Sequence, residues 1–530
     1  MRQLTNPILD ADWPDPDAIR VGDDYYLVAS SFNRTPGLPV LHSTDLVRWE
    51  IVCNALRELT PLDHFAVPRH GGGVWAPSIR LHNGVYFIVY PDPDHGIHVL
   101  TAPDPGGEWS RPHLLMPGPG RIDPCPLWDD DGRTYLVHAW AMSRSGLKNR
   151  LTVVEVSEDL RRVVGAPRTV VDGDELPGYR TLEGPKFYKR DGWYWIFAPA
   201  GGVATGWQSV FRSRSPYGPY ESHIVLEQGD TPVNGPHQGA WVDTPGGGHW
   251  FLHFQDRGVF GRVVHLQPMT WGEDGWPRIG AQRPNGRGEP MQTLPVPPTA
   301  TSALFTQGQR EPNRGDDFSQ TALGAQWHWQ ANPQSNWARL PGDGTLHLAV
   351  PAVDRGNLRE IPCVLSQQLP GRPSEVTTSI RLDSDVTGAR AGLLVLGIDY
   401  AWIGLERSPA GVYLVSRRMT APQVEDAVAE EAATRHLLDS SHGSPTAWVR
   451  AATDRTGIVR LSWSIDDRAT WHSVAQPFQA AAGQWIGAEI GLFACAPFGA
   501  AGAGCEDTQG GAVFGSVKFA IKPVSDEGTS

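Results

Sequence analysis

Cysteine is scarce in this sequence of 530 residues. The chain has five cysteines and no C-x-x-C pair; they are Cys53, Cys125, Cys363, Cys495 and Cys505. This pattern argues against a zinc framework and against a scaffold built on disulfides. Cys495 and Cys505 flank a segment rich in glycine and alanine, so their pairing on oxidation stays open, although free thiols are expected in a cytosolic protein.

Positive charge and long apolar runs are also lacking. The formal net charge is −13, which argues against a nucleic acid partner because phosphate binding needs a basic face. No uninterrupted apolar run reaches the length of a membrane span, so we expect no membrane partner. The opening MRQLTNPILDADW lacks the apolar core of a signal peptide. We therefore expect a cytoplasmic protein, although a chain whose leader had been removed would look the same.

Several enzyme motifs are missing as well. The sequence contains no G-x-S-x-G, no H-E-x-x-H and no G-x-x-x-x-G-K-[ST] motif. The glycine-rich segment 201–209 lacks the lysine that would contact phosphates. These absences disfavour serine hydrolases with a nucleophile elbow, zinc proteases and P-loop enzymes.

Glycine and proline are abundant, with 59 and 46 residues, and a short pattern recurs along the first half. A turn residue is followed by aromatic positions and an aliphatic run, which is typical of a β-hairpin. The five copies are GDDYYLVAS (22–30), NGVYFIVY (83–90), DGRTYLVHA (131–139), DGWYWIFAP (191–199) and GGHWFLHFQ (247–255). Their spacing of 48 to 61 residues leaves room for four short strands each. We predict an all-β fold that begins with a five-bladed β-propeller.

A second short strand precedes each copy. The strands that line the channel of a propeller converge at one mouth, so their opening residues should meet there. These residues are Asp15, Trp75, Asp123, Glu183 and His237. Three carboxylates, an imidazole and an indole are costly to gather for structure alone, because buried charges need partners. The set therefore predicts a functional site.

Paired carboxylates of this kind suit glycoside hydrolysis. The reaction needs an acid that protonates the leaving oxygen and a base or nucleophile across the ring. A third carboxylate beside the acid would help it to keep its proton. Asp15, Asp123 and Glu183 fit the roles of base, modulator and acid.

The ordered motifs resemble glycoside hydrolase family 43, in its longer form with a C-terminal β-sandwich. The stretches that carry the resemblance are NPILDADWPDPDAIRVGDDYYLVASSF, GVWAPSIR, IDPCPLWDDDG, EGPKFYKRDGWYWIFAPAGG, NGPHQGAWVDT and HFQDRGVFGRVVHLQPMTW, which span nearly all of residues 5–280. The resemblance implies that Asp15 is the general base, Asp123 the pKa modulator and Glu183 the general acid. It also implies inversion of the anomeric centre, with the acid and base about 6.5–9.5 Å apart to admit a water.

The resemblance assigns further positions. Arg262 matches an arginine that contacts the terminal sugar, and Phe32 and Trp75 would wall the sugar pocket. Trp140 is a candidate for the entrance. His237 matches a histidine that holds a hydrated calcium ion beneath the substrate in many relatives; calcium prefers oxygen ligands, so water would complete its shell.

The second half differs in pattern. A linker rich in Pro, Gly, Gln and Thr is predicted over 294–314, which leaves 1–293 as the propeller and 315–530 as a second domain. Short strands alternate with turns from 315 onward, which favours a β-sandwich. The resemblance implies a lectin-like jelly roll that narrows the pocket mouth.

The prediction for the whole chain is an inverting exo-acting hydrolase that removes terminal β-D-xylosyl or α-L-arabinofuranosyl residues from hemicellulose oligosaccharides. Two alternatives remain open: a retaining, fructosidase-like propeller hydrolase and a non-catalytic sugar-binding propeller. The sequence leaves the choice of sugar and the oligomeric state open, homo-oligomers included.

Overall fold

The computed structural model describes residues 3–298, 312–353, 357–420, 430–439, 444–498 and 511–522. Its first half consists of five antiparallel sheets arranged as the blades of a propeller, each with strands in sequence order. Blade 1 contains Asp17–Val21, Asp24–Val28, Gly37–Ser43 and Glu50–Leu56, and blade 2 contains Ser78–His82, Val85–Asp92, Gly96–Ala102 and His113–Pro117. Blade 3 contains Arg121–Trp128, Thr134–Trp140, Arg150–Val156 and Arg168–Asp172, and blade 4 contains Lys186–Arg190, Trp193–Ala200, Trp207–Ser213 and Glu221–Glu227. Blade 5 contains His237–Asp243, His249–Asp256, Arg262–Trp271 and Pro277–Ile279. The predicted fivefold repeat is confirmed, with each aromatic copy forming the second strand of a blade.

Additional short elements join the blades. The strands Ala281–Gln282 and Gly288–Glu289 extend blade 4, and Gln3–Thr5 pairs with Thr293–Pro295. The short helices are Met142–Ser145, His64–Ala66, Gly173–Glu175 and Gly258–Phe260. The strand Thr293–Pro295 crosses the predicted propeller boundary at 293, and the domain boundaries stay a prediction. Residues 299–311 of the predicted linker lie outside the described residues.

The opening residues of the five inner strands are aligned differently from the alignment expected from the sequence. Asp15 and Asp123 have positive φ angles of 55° and 57°, and Gly184 and Gln238 have 59° and 32°. Asp15, Asp123 and Gly184 each precede a proline. These residues are therefore equivalent, and Glu183 lies one position earlier, level with Trp75 and His237. Glu183 is therefore offset by one residue from the expected alignment with the two aspartates.

A ring of buried side chains closes the channel two residues further along each inner strand. Asp17, Ser78, Cys125, Lys186 and Ala240 occupy these positions and are buried. Lys186 Nζ donates to the Pro77 carbonyl at 2.8 Å, and Arg80 Nη1 donates to Asp17 Oδ2 at 2.6 Å. Buried charges need such partners, so these hydrogen bonds stabilise the charged members of the ring.

The second half is a sandwich of two antiparallel sheets around one continuous core. The first sheet contains His328–Trp329, Val364–Gln368, Glu489–Pro497, Arg390–Leu396, Tyr400–Ser408, Gly411–Met419 and Glu431–Asp439, with Ala352–Val353 at its side. The second contains Ala338–Arg339, Leu346–Ala349, Gly511–Phe514, Ser374–Asp383, Thr446–Thr453, Ile458–Ser464 and His472–Ser473, with Phe478–Gln479 and Lys518–Ile521 at its side. The predicted sandwich is confirmed.

Four cysteines carry free thiols, and they are Cys53, Cys125, Cys363 and Cys495. Cys505 lies outside the described residues, so its pairing with Cys495 stays a prediction. In the described part of the chain, no helix is both long and apolar enough to cross a membrane.

Candidate active site

Asp15 is held at the mouth of the propeller by two donors from different blades. Ser30 Oγ donates to Asp15 Oδ2 at 2.6 Å, and Arg262 Nη1 lies 3.1 and 3.2 Å from the two carboxylate oxygens. The positive φ of Asp15 is uncommon outside glycine and costs free energy, which is a feature of functional sites. A carboxylate can accept about four hydrogen bonds, so Asp15 can still accept one from a third donor.

Asp123 and Glu183 form a second carboxyl cluster beside Asp15. Asp123 is buried and accepts the main-chain N–H of Gly184 at 2.7 Å. Burial raises the pKa of Asp123 well above its usual value, and the charges of Glu183 and Asp15 raise it further. The three carboxyl groups therefore lie close together, and Asp123 keeps its proton at pH values where isolated carboxyls have lost theirs.

His237 contacts the predicted acid directly. Its Nε2 atom lies 2.9 Å from Glu183 Oε1, and its buried Nδ1 atom has no hydrogen-bond partner among the described residues. The ring is fully buried, whereas 23% of the Glu183 side chain is exposed. The imidazole thus orients the carboxyl group and leaves it open toward the pocket.

The donors around His237 do not fit a calcium ion held by protein oxygens. Calcium takes six to eight oxygen ligands, and the described residues contain no group of three His, Cys, Asp or Glu side chains placed to hold a metal. One imidazole nitrogen is occupied by Glu183. Calcium therefore stays a prediction from the resemblance, and no chemical step below depends on it.

Phe32 and Trp75 lie side by side, and their role as walls of the sugar pocket stays a prediction. Their ring centroids are 6.4 Å apart, and the main chains of Phe32 and Val74 exchange two hydrogen bonds. A Cβ atom at Gly73 would lie 2.3 Å from the Phe32 carbonyl oxygen, so this close approach requires glycine. Arg144 stacks on the Trp75 ring, with its guanidinium carbon 5.6 Å from the centroid.

Trp140 contacts two side chains of its own blade. Its Nε1 atom donates to Thr152 Oγ1 at 2.9 Å, and the Arg121 guanidinium lies 5.3 Å from the ring. The residue ends its strand just before the short helix that carries Arg144. A role for Trp140 at the entrance stays a prediction, whereas Arg262 is placed directly on Asp15.

Three residues near the site carried no distinctive sequence signal. Ser30 and Arg34 follow the first hairpin, where serine and arginine are ordinary turn residues. The local sequence around Asp12 suggests a solvated residue or a local cap, but Asp12 is 1% exposed and pairs with Arg34. Its partners lie far away in the chain, so only the folded structure reveals that the carboxylate is buried. Asp17, expected to support the strand, does so by accepting the Ile79 N–H.

The Asp123→Asn variant should change the pH profile in a defined direction. Removing one negative charge lets the remaining carboxyl lose its proton at lower pH, so the basic limb of kcat/KM should move to lower pH. Folding raises the pKa of Asp123. As the pH rises above 3.8, this carboxyl ionises in the unfolded chain before it does in the fold, so the folded state loses stability. The asparagine side chain does not ionise, so Asp123→Asn should unfold at a higher temperature than wild type at pH 7. The difference in unfolding temperature should be smaller at pH 4. An unmoved basic limb would contradict the coupling.

Family models and similar proteins agree with this geometry. Residues 4–277 match the model of glycosyl hydrolases family 43, and residues 315–505 match the model of the beta xylosidase C-terminal concanavalin A-like domain. A putative beta-xylosidase of Xylanibacter ruminicola is 36% identical over 479 residues, which are 90% of this chain and 84% of that protein. A non-reducing end alpha-L-arabinofuranosidase of Bacteroides ovatus is 29% identical over 470 residues, with 84% of each chain covered.

The solved structures support the same fold. The crystal structure of xylan beta-1,4-xylosidase from Bacillus halodurans C-125 superposes with a TM-score of 0.83 at 24% identity, covering 97% of this chain and 99% of that one. The family 43 model matches more than half of the chain, and the Xylanibacter ruminicola relative covers 90% of it. Together these matches establish the family. The protein belongs to glycosyl hydrolase family 43 and is a glycoside hydrolase.

Proposed function

We propose that this hydrolase is exo-acting and inverting, and that it removes terminal β-D-xylosyl or α-L-arabinofuranosyl residues from hemicellulose oligosaccharides. The observation that carries the proposal is the convergence of Asp15, Asp123 and Glu183, whose charges act on one another. The relatives named beta-xylosidase and alpha-L-arabinofuranosidase support the choice of sugars.

Each carboxyl group has a distinct part in the proposed displacement. Asp15 accepts a proton from a water that attacks the anomeric carbon, while Glu183 donates a proton to the leaving oxygen. Arg262 and Ser30 hold the base in one orientation, and His237 orients the acid. Asp123 acts as the modulator, because its closeness to Glu183 disfavours ionisation of both carboxyl groups at once. Phe32 and Trp75 offer apolar surface to the sugar ring.

The sandwich supports the exo mode because it borders the mouth. A Cβ atom at Gly71 would lie 3.0 Å from Trp485 Cδ1 of the sandwich. The Gly71 carbonyl also accepts Trp75 Nε1 at 2.9 Å, so the Trp485 segment lies beside the predicted sugar wall. Trp485 is 49% exposed and has a φ of 63°, a strained geometry for a bulky residue. A wall at this place limits the pocket to a chain end.

The experiment that tests the proposal combines a substrate panel with stereochemistry. Purified protein is incubated with 4-nitrophenyl β-D-xyloside, 4-nitrophenyl α-L-arabinofuranoside and a xylo-oligosaccharide, and proton NMR identifies the first anomer. We expect release of a single sugar in which the anomeric configuration is inverted. Retention would favour a nucleophilic mechanism with carboxyls about 5–5.5 Å apart. Oligosaccharide binding without release would favour a non-catalytic propeller.

A further inference from the structure

A buried charged cluster joins the two domains behind the active site. We call it the domain bridge; it consists of Asp12 and Arg34 of the propeller and His328 and Glu489 of the sandwich. Arg34 Nη2 donates to Asp12 Oδ2 at 3.0 Å, and Arg34 Nε donates to Glu489 Oε1 at 2.6 Å. His328 Nε2 lies 2.7 Å from the same Glu489 oxygen. All four residues are 6% exposed or less.

Electrostatics make the bridge an ordered unit. Burial by itself would raise the pKa of Glu489, but Arg34 and His328 outweigh it and lower that pKa to about 2. Glu489 is therefore an anion at neutral pH, and Arg34 is the cation shared by two carboxyl groups. Buried ion pairs are often no more stabilising than apolar side chains of similar size, and their best-attested use is to specify geometry. The bridge thus suggests a positioning role.

The bridge reaches the candidate base through the main chain of Arg262. Asp12 Oδ1 accepts the Arg262 main-chain N–H at 2.9 Å, and the Trp13 N–H donates to the Arg262 carbonyl at 2.9 Å. A Cβ atom at Gly261 would lie 2.1 Å from Asp12 Oδ1, so the chain packs directly on this carboxylate. The Arg262 side chain then contacts both oxygens of Asp15.

We propose that Glu489 is a positioning residue for hydrolysis, acting from the sandwich through Arg34 and Asp12 on Arg262 and thereby on Asp15. The inference rests on the proposed role of Asp15 as the base. By this route the sandwich positions the candidate base, in addition to bordering the mouth of the propeller. Arg34 can bridge two carboxylates because its guanidinium presents several donors in a fixed plane, which a lysine cannot reproduce.

The test is a double-mutant cycle in the full-length protein. Glu489→Gln should lower kcat on 4-nitrophenyl β-D-xyloside by ~10- to 100-fold, because small misplacements of catalytic groups are costly, and should leave KM within about threefold. In an Arg262→Ala background the same change should cost less than about threefold, since the side chain that transmits the effect is gone. A purely structural role would cost the same factor in both backgrounds.

Glu406→Gln is the matched control. Glu406 also belongs to the sandwich, is largely buried and pairs with an arginine, with Arg417 Nη2 at 2.6 Å, but its ion pair lies within the sandwich sheet. This variant should keep wild-type kcat. Circular dichroism and thermal unfolding verify that each variant is folded; if Glu489→Gln is not, Arg34→Lys takes its place in the cycle.

The outcomes separate the two proposals. Folded Glu489→Gln with wild-type kcat, or equal losses in both backgrounds, overturns the positioning role and leaves the proposed function intact. Loss of folding in both Glu489→Gln and Arg34→Lys makes the bridge a stability element and also overturns it. A wild-type protein that cleaves neither aryl glycoside removes the proposed function, and the inference with it.

Discussion

Asp15→Asn should reduce kcat by ~10²–10⁴-fold, the range typical of losing a general acid or base. The amide is nearly isosteric, so the pocket keeps its shape, but it cannot accept the proton of the attacking water. Ser30 and Arg262 would still surround the side chain. Because Asp15 is proposed to act on water, the loss should be of similar size for good and poor leaving groups. Steady-state kinetics on a series of aryl β-D-xylosides measures this.

Asp23→Asn is the matched control for that experiment. Asp23 lies in the turn of the same first hairpin and is exposed, so the change alters the net charge equally without touching the pocket. It should retain wild-type kcat. A folded Asp15→Asn protein with more than a tenth of wild-type turnover would rule out Asp15 as the base.

Glu183→Gln should also lower kcat, but by a factor that depends on the leaving group. Without the acid, poor leaving groups such as xylose should lose ~10²–10⁴-fold, whereas an activated aryl leaving group needs little protonation and should lose much less. The His237 contact to Oε1 places this carboxyl and can persist with the amide. Comparing xylobiose with 2,4-dinitrophenyl β-D-xyloside measures the difference.

The contrast between the two variants distinguishes acid from base. Equal losses of Glu183→Gln on both substrates would argue against an acid role, and a steep leaving-group dependence of Asp15→Asn would argue for exchanged roles. Glu158→Gln serves as control, because Glu158 is largely exposed at a blade edge and contacts His82. It should behave as wild type on both substrates.

The repeat, the propeller, the sandwich and the carboxyl set could all be predicted from the sequence. Turn residues followed by aromatic and β-branched runs encode hairpins locally, so their five copies are visible without any tertiary contact. The motifs around Asp15, Asp123 and Glu183 are local as well. The alignment of the five opening residues was harder to predict, because residue type alone does not indicate the positive φ angles of Asp15 and Asp123.

Contacts between distant segments required the tertiary structure. Asp12 reads as one of three similar aspartates in DADWPDPD, yet it is buried against Arg34, with Arg262 250 residues away donating its N–H. Likewise, nothing near Glu489 in the chain indicates that it meets Arg34, which lies 455 residues away. The sequence by itself determined the architecture and singled out the candidate carboxyls, since both depend on local pattern. The tertiary structure decided which charges are buried together, because desolvation and ion pairing depend on neighbours that only folding brings into contact.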